Sequence, residues 1–75
     1  MKNKLTTVKE ISKEYGLSYQ TVNRYSDTGL LAVVLKKGNV RYYDRRQVQR
    51  RIIRISALAS EGYSLMLIRK KLTGI

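Results

Sequence analysis

The stretch Val8–Tyr25, VKEISKEYGLSYQTVNRY, reads as two short helices joined by a tight turn. Val8, Ile11 and Tyr15 recur at i, i+3 and i+7, which places them on one apolar face of a helix. Thr7 precedes that face and Glu10 follows three residues on, the spacing of a reciprocal capping box. In Tyr15-Gly16-Leu17 the glycine is free to take the left-handed conformation that ends a helix. Ser18 then caps a second helix, with Val22 and Tyr25 turned inward and Tyr19, Gln20, Asn23 and Arg24 turned out. A glycine turn followed by an amphipathic helix with a polar outer face is the helix-turn-helix arrangement, whose second helix enters the major groove of DNA.

The chain has no proline, so its five glycines punctuate the rest. Residues 1–6 read as a loose arm. Gly29, after Ser26-Asp27-Thr28, ends the second helix. The apolar run Leu30–Leu35, the turn Lys36-Lys37-Gly38-Asn39 and the run Val40–Tyr43 read as a two-stranded hairpin with a basic tip. Asp44 caps a third helix, with Gln47 at the capping-box position. Val48, Ile52, Ile55 and Ala59 form its buried stripe, and it ends at Gly62. Ser64 caps a fourth helix that buries Leu65, Ile68 and Leu72 and carries Arg69, Lys70 and Lys71 near its end, where cations suit the dipole. Ile53 and Leu67 fall off these stripes, as satellite core or as part of a small self-association patch.

Seventy-five residues make one domain, 1–75, with a modest core; DNA or a second copy would add to its stability. There is no cysteine and no histidine, which excludes disulfides, thiolate chemistry, zinc fingers and histidine bases together. The five acids are scattered, so no acid–base pair, metal site or nucleophile constellation can be drawn, and neither an enzyme nor a cofactor is expected. No apolar run approaches the ~20 residues of a membrane span, and MKNKLTTV lacks the apolar centre of a signal peptide. Sixteen Lys and Arg leave a net charge of +11. Eight of these bases lie between Lys36 and Arg54 with one acid, Asp44. Beside a helix-turn-helix such a stripe fits a nucleic-acid partner. An anionic membrane would call for a basic helix with an apolar face of Trp, Phe or Leu, and the chain has no Trp or Phe.

The stretches TVKEISKEYGLSYQTVNRYSDTGLL, the hairpin ending VRYYD, the long helix and EGYSLMLIRKKL together resemble the winged-helix DNA-binding domain of the MerR family of bacterial regulators, over Thr7 to about Leu72. The resemblance implies a mainly α fold of four helices with a two-stranded β-hairpin wing, double-stranded DNA as partner and a cytoplasmic location. It also implies that Arg41 of the wing reaches the DNA backbone or minor groove, and that the Tyr25 hydroxyl meets a phosphate while its ring faces the core. The family usually shows Arg-Tyr-Tyr-Glu where this chain has Asn23-Arg24-Tyr25-Ser26. The family regulators also continue into a long dimerising helix, whereas this chain stops at Ile75 and has no apolar stripe for a coiled coil, so a monomer is expected in free solution, with neighbouring copies associating on DNA.

The candidate DNA-facing residues are Ser18, Tyr19, Gln20, Asn23, Arg24 and Tyr25 on the second helix, Lys36, Lys37 and Arg41 on the wing, and Arg45 and Arg46 at the start of the third helix. Gln and Asn can pair bidentately with adenine and Arg with guanine. The same residue types are ordinary on an exposed helix face, capping alone explains Ser18, and edge lysines also block strand aggregation. Arg45 and Arg46 oppose the dipole at a helix start, where a phosphate would favour them. Arg50, Arg51 and Arg54 read as a solvated face. Strict alternation places Arg41 on the same side as Tyr43, the tyrosine that the resemblance packs inward. Within DNA binding three classes stay open: a small transcription regulator, an excisionase-type recombination accessory factor, and a segregation or replication accessory protein of a mobile element. A protein-interaction module using Ile53, Leu67 and Ile75 would need no DNA.

Overall fold

The computed structural model describes residues 4–74; Ile75 lies outside the described residues. Helix α1 (Val8–Tyr15) starts on the expected capping box. The Glu10 amide donates to Thr7 Oγ1 (3.3 Å) and the Thr7 amide to the Glu10 carboxylate (3.2 Å). Gly16, at φ 66°, ends the helix in the left-handed conformation that a side chain would resist. Helix α2 (Tyr19–Asp27) begins at Ser18, whose hydroxyl oxygen accepts from the Thr21 amide at 3.0 Å. Ile11 and Val22 are fully buried where the two helices meet.

Strands β2 (Val33–Lys37) and β3 (Val40–Asp44) form the wing around Gly38-Asn39, with Lys37 opposite Val40. The sheet has a third strand. Strand β1 (Leu5–Thr7) pairs antiparallel with β3, Leu5 opposite Asp44 and Thr7 opposite Tyr42, giving the order β1-β3-β2. The expected two-stranded wing is therefore part of a three-stranded sheet, and Leu5 and Thr6 are not a loose arm. Three residues are too few to display a period of two, and their partner lies far along the chain, so local patterning could not reveal them. Thr6 is buried, and its hydroxyl donates to the Glu10 carboxylate at 3.3 Å. The pairing continues into the Arg45 amide, which donates to the Lys4 carbonyl at 2.9 Å.

The apolar run Leu30–Leu35 is not one strand. Leu30 and Leu31 lie in the bend after α2, both essentially inaccessible, while β2 begins at Val33 and leaves Val33, Val34 and Leu35 exposed. Adjacent residues of a strand face opposite sides, so two neighbouring leucines can both be buried only where the chain turns. The Tyr25 carbonyl holds this bend by accepting from both leucine amides.

Helix α3 (Arg45–Ser60) starts at Asp44, whose carboxylate accepts from the Arg46 and Gln47 amides at 2.8 and 3.1 Å. The Gln47 side chain does not complete a capping box; its oxygen accepts from the Ala32 amide at 3.4 Å and ties the bend to α3. Val48, Ile52 and Ile55 are buried as expected. Ala59 is exposed and Leu58 takes its place, half-buried, because the last step of the stripe is three residues and not four. Helix α4 (Leu65–Thr73) is capped by Ser64 and buries Ile68, with Leu65 and Leu72 half-buried beside it. Ile53 and Leu67 are exposed and belong to no core.

Two apolar clusters result. Ile11, Val22, Leu31, Tyr43, Val48 and Ile52 join the helix-turn-helix to the sheet and the start of α3. Leu30, Ile55 and Ile68 join the later part of α3 to α4, and the Tyr25 ring packs against both. Leu31→Ala should therefore cost about 2–5 kcal/mol in urea unfolding. Val34→Ala, on the exposed strand, should stay within about 0.5 kcal/mol.

Candidate nucleic-acid interface

On the outer side of α2, Tyr19, Gln20, Asn23 and Arg24 are all exposed, and Tyr19 keeps 52% of its surface. They do not share one direction. Tyr19, Asn23 and Asp27, one helical turn apart, form a wall of an open groove. Its other walls are Thr7, Val8 and Lys9 at the start of α1 and Asn39, Val40 and Arg41 of the wing. Arg24 lies on the other side of α2, beside a cleft lined by Thr21, Ile55, Tyr63 and Leu65. Ser18 is spent on capping, since it also donates its hydroxyl proton to Thr21 Oγ1 at 2.9 Å. The Tyr25 ring belongs to the core, as its spacing from Val22 predicted.

The expected basic residues divide into tethered and exposed ones. Lys36 and Lys37 on β2 and Arg46 on α3 are exposed. Arg45 is half-buried and pairs with Glu14 at 3.4 Å. A cation in the first turn of α3 opposes the dipole, and an acid in the last turn of α1 does the same, so each charge is favoured by the other. Neighbouring Tyr15 titrates above the ordinary tyrosine range, chiefly through burial and then the Glu14 charge, with Arg45 opposing. Arg51 is half-buried and donates to the Leu30 carbonyl at 3.4 Å, which sets it apart from the exposed Arg50 and Arg54.

Arg41 and Tyr43 do lie on the same face of β3, and both reach α2. The Tyr43 hydroxyl donates to Ser26 Oγ at 2.8 Å. The Arg41 guanidinium donates to the same oxygen at 3.3 Å and to the Asp27 carboxylate at 3.4 Å. The nearby Tyr43 hydroxyl and then the Asp27 carboxylate hold Arg41 above the ordinary arginine range. Lys36 stands directly opposite Arg41 in the hairpin, a like-charge pair that Asp27 offsets.

Sequence patterning passed over Lys9, Asn39, Ser26 and Asp27. Asp27 carried a usable signal, because an acid in the last turn of a helix opposes the dipole and calls for a cation from elsewhere. Lys9 and Asn39 carried none, since their place in the groove depends on how the wing meets α1. Among the described residues no three acids gather as a metal site would need, and no helix is long and apolar enough to cross a membrane.

The model of the family described as MerR HTH family regulatory protein matches residues 6–75. Nodulation protein NolA of Bradyrhizobium elkanii is 41% identical over 66 residues, which cover 87% of this chain and 30% of that protein. Nodulation protein NolA of Bradyrhizobium diazoefficiens is 39% identical over 66 residues, covering 87% of this chain and 27% of that protein. The chain thus spans less than a third of the length of these curated relatives. No solved structure gives a significant match.

The bond between Tyr43 and Ser26 joins the sheet to α2 on the groove side. Tyr43→Phe keeps the buried ring and removes only that donor. It should lower stability by about 0.5–1.5 kcal/mol in urea unfolding.

Proposed function

Because the chain belongs to the MerR HTH family of regulatory proteins, which bind double-stranded DNA, we propose that it is a transcription regulator preferring particular duplex sequences. Helix α2 lies in the major groove, and the wing follows the flanking backbone. The observation that carries this is the groove between Tyr19 and Asn23 on one side and the wing on the other, with Gln20 exposed on the same helix, one turn before Arg24. An α-helix with its side chains is about 10–12 Å across, which suits a major groove about 12 Å wide.

Gln20 and Asn23 are the base readers, as amides that pair bidentately with adenine. Tyr19 contacts a thymine methyl or the adjacent phosphate, and Arg24, on the far side of α2, reaches the edge of the footprint. Lys9, Lys36, Lys37 and Arg46 meet phosphates, with the net charge of +11 drawing the chain to DNA. Four acids have structural work: Glu10 and Asp44 cap helices, while Glu14 and Asp27 pair with arginines. They leave no carboxylate pair for catalysis, and the protein acts by binding.

Gln20→Ala and Asn23→Ala should each cost about 1–3 kcal/mol on a duplex selected by the wild-type protein and little on random sequence. Equal losses on both would show that α2 positions the protein without reading bases.

Binding should also fall steeply with salt. Four such phosphate contacts give a slope of log K against log salt of about −3.6. Lys37→Ala should make that slope shallower by roughly one unit on every sequence. Arg54→Ala, farther along α3, should leave it unchanged; a larger effect there would put the wrong face on DNA.

A further inference from the structure

Along β3 toward the wing tip, Tyr43 is buried and Arg41 is the next residue on the same face. Lys36 opposite it, and Lys37, Gly38, Asn39 and Val40 beyond it, are all exposed. Arg41 is therefore, among the described residues, the outermost side chain of the wing bonded to the body of the domain. Its partners are two consecutive residues at the end of α2, Ser26 and Asp27. Ser26 Oγ has two acceptor sites and receives both the Tyr43 hydroxyl and the Arg41 guanidinium. Without Arg41 the hairpin would be held only from Tyr42 inward, where β3 pairs with Thr7 of β1, and the tip could swing about that point.

Exposure decides what such a contact does. The side chain of Asp27 is 67% accessible and that of Arg41 38%. An ion pair this open adds little to folding stability. It does set a direction, because one guanidinium nitrogen, Nη1, reaches two consecutive residues of α2 and so ties the wing to the end of that helix. It also draws Arg41 toward the end of the helix whose outer face carries Gln20 and Asn23.

We propose that Arg41 is a positioning residue. Through Ser26 and Asp27 it locks the wing to α2, so that the base-reading helix and the backbone-holding tip meet DNA as one rigid body. This rests on the base-reading role of α2 proposed above, and assigns phosphate contact to the tip lysines in place of Arg41. Asp27 then acts as a specificity determinant without touching a base. If the lock loosens, a duplex that fits both elements loses its advantage, while a random duplex, held by charge alone, does not.

The test has two arms. In the free protein, Asp27→Asn and Arg41→Ala should speed amide hydrogen exchange at residues 36–41 and leave α3 and α4 unchanged. On DNA, the probes are a duplex selected from a random pool by the wild-type protein and a random-sequence duplex. Asp27→Asn should weaken the selected duplex by roughly twofold to fivefold, the range of an exposed ion pair, without weakening the random one. In an Arg41→Ala background it should cost nothing further, since the partner is gone. Arg41→Ala alone should lose preference for the selected duplex as Asp27→Asn does, since either change removes the same contact. Tighter binding of Asp27→Asn to both duplexes alike would overturn the proposal, because Asp27 would then only withhold Arg41 from phosphates. Unchanged wing exchange in Asp27→Asn would overturn it as well. A wild-type protein that selects no duplex would refute base reading by α2, and the exchange arm alone would then judge the lock.

Discussion

The side chain of Tyr43 fills the space between the sheet and the helix-turn-helix, and its hydroxyl ends on Ser26 Oγ. Its strand is the middle one of the sheet, paired with β1 on one edge and β2 on the other. One residue thus fixes the distance from sheet to helices by its ring and the orientation of α2 by its hydroxyl. The amphipathic shape of tyrosine suits this place, since the ring supplies buried area and the oxygen needs a partner that Ser26 provides. The groove between α2 and the wing takes its width from that contact.

Charges at helix ends form a second layer of organisation. Glu14 and Asp27 stand in the last turns of α1 and α2, and Arg45 in the first turn of α3, all against the local dipole. Each finds an opposite charge from another element: Glu14 with Arg45, and Asp27 with Arg41. These pairs are too exposed to hold the domain together. They select how elements already packed through apolar contacts face one another, and they leave Lys36, Lys37 and Arg46 facing solvent. A chain of net charge +11 has few acids to place, and this placement leaves a cationic surface around α2 and the wing.

For a domain of this size the bend at Leu30-Leu31 matters as much as any helix. Leu31 enters the cluster under the helix-turn-helix, and Leu30 enters the one between α3 and α4. Two adjacent side chains in different clusters couple the helix-turn-helix half of the molecule to its rear. Each half alone buries too little apolar surface to be stable, so the coupling favours cooperative folding.

All four helices, their serine, threonine and aspartate caps and the outward face of α2 were legible in the amino-acid order, because each depends on residues within one or two turns of one another. The Thr7–Glu10 box and the left-handed Gly16 are local in this sense, as is the alternation that puts Arg41 on the Tyr43 side. Strand β1 was not legible, since three residues carry no periodicity and its pairing partner is set only when α1, α2 and the wing have packed. Nor was the bend at Leu30-Leu31, which within an apolar run looks like strand. The division of the basic residues was hidden for the same reason. Arg46 and Arg45 are neighbours in sequence, yet only Arg45 comes within reach of Glu14, and Arg41 meets Ser26 and Asp27 only because Tyr43 seats the sheet against the end of α2. What local chemistry determined was which segments are helical and which faces are apolar. What the tertiary structure decided was which charges meet, because ion pairs act over a few ångströms and those distances do not exist until the core has formed.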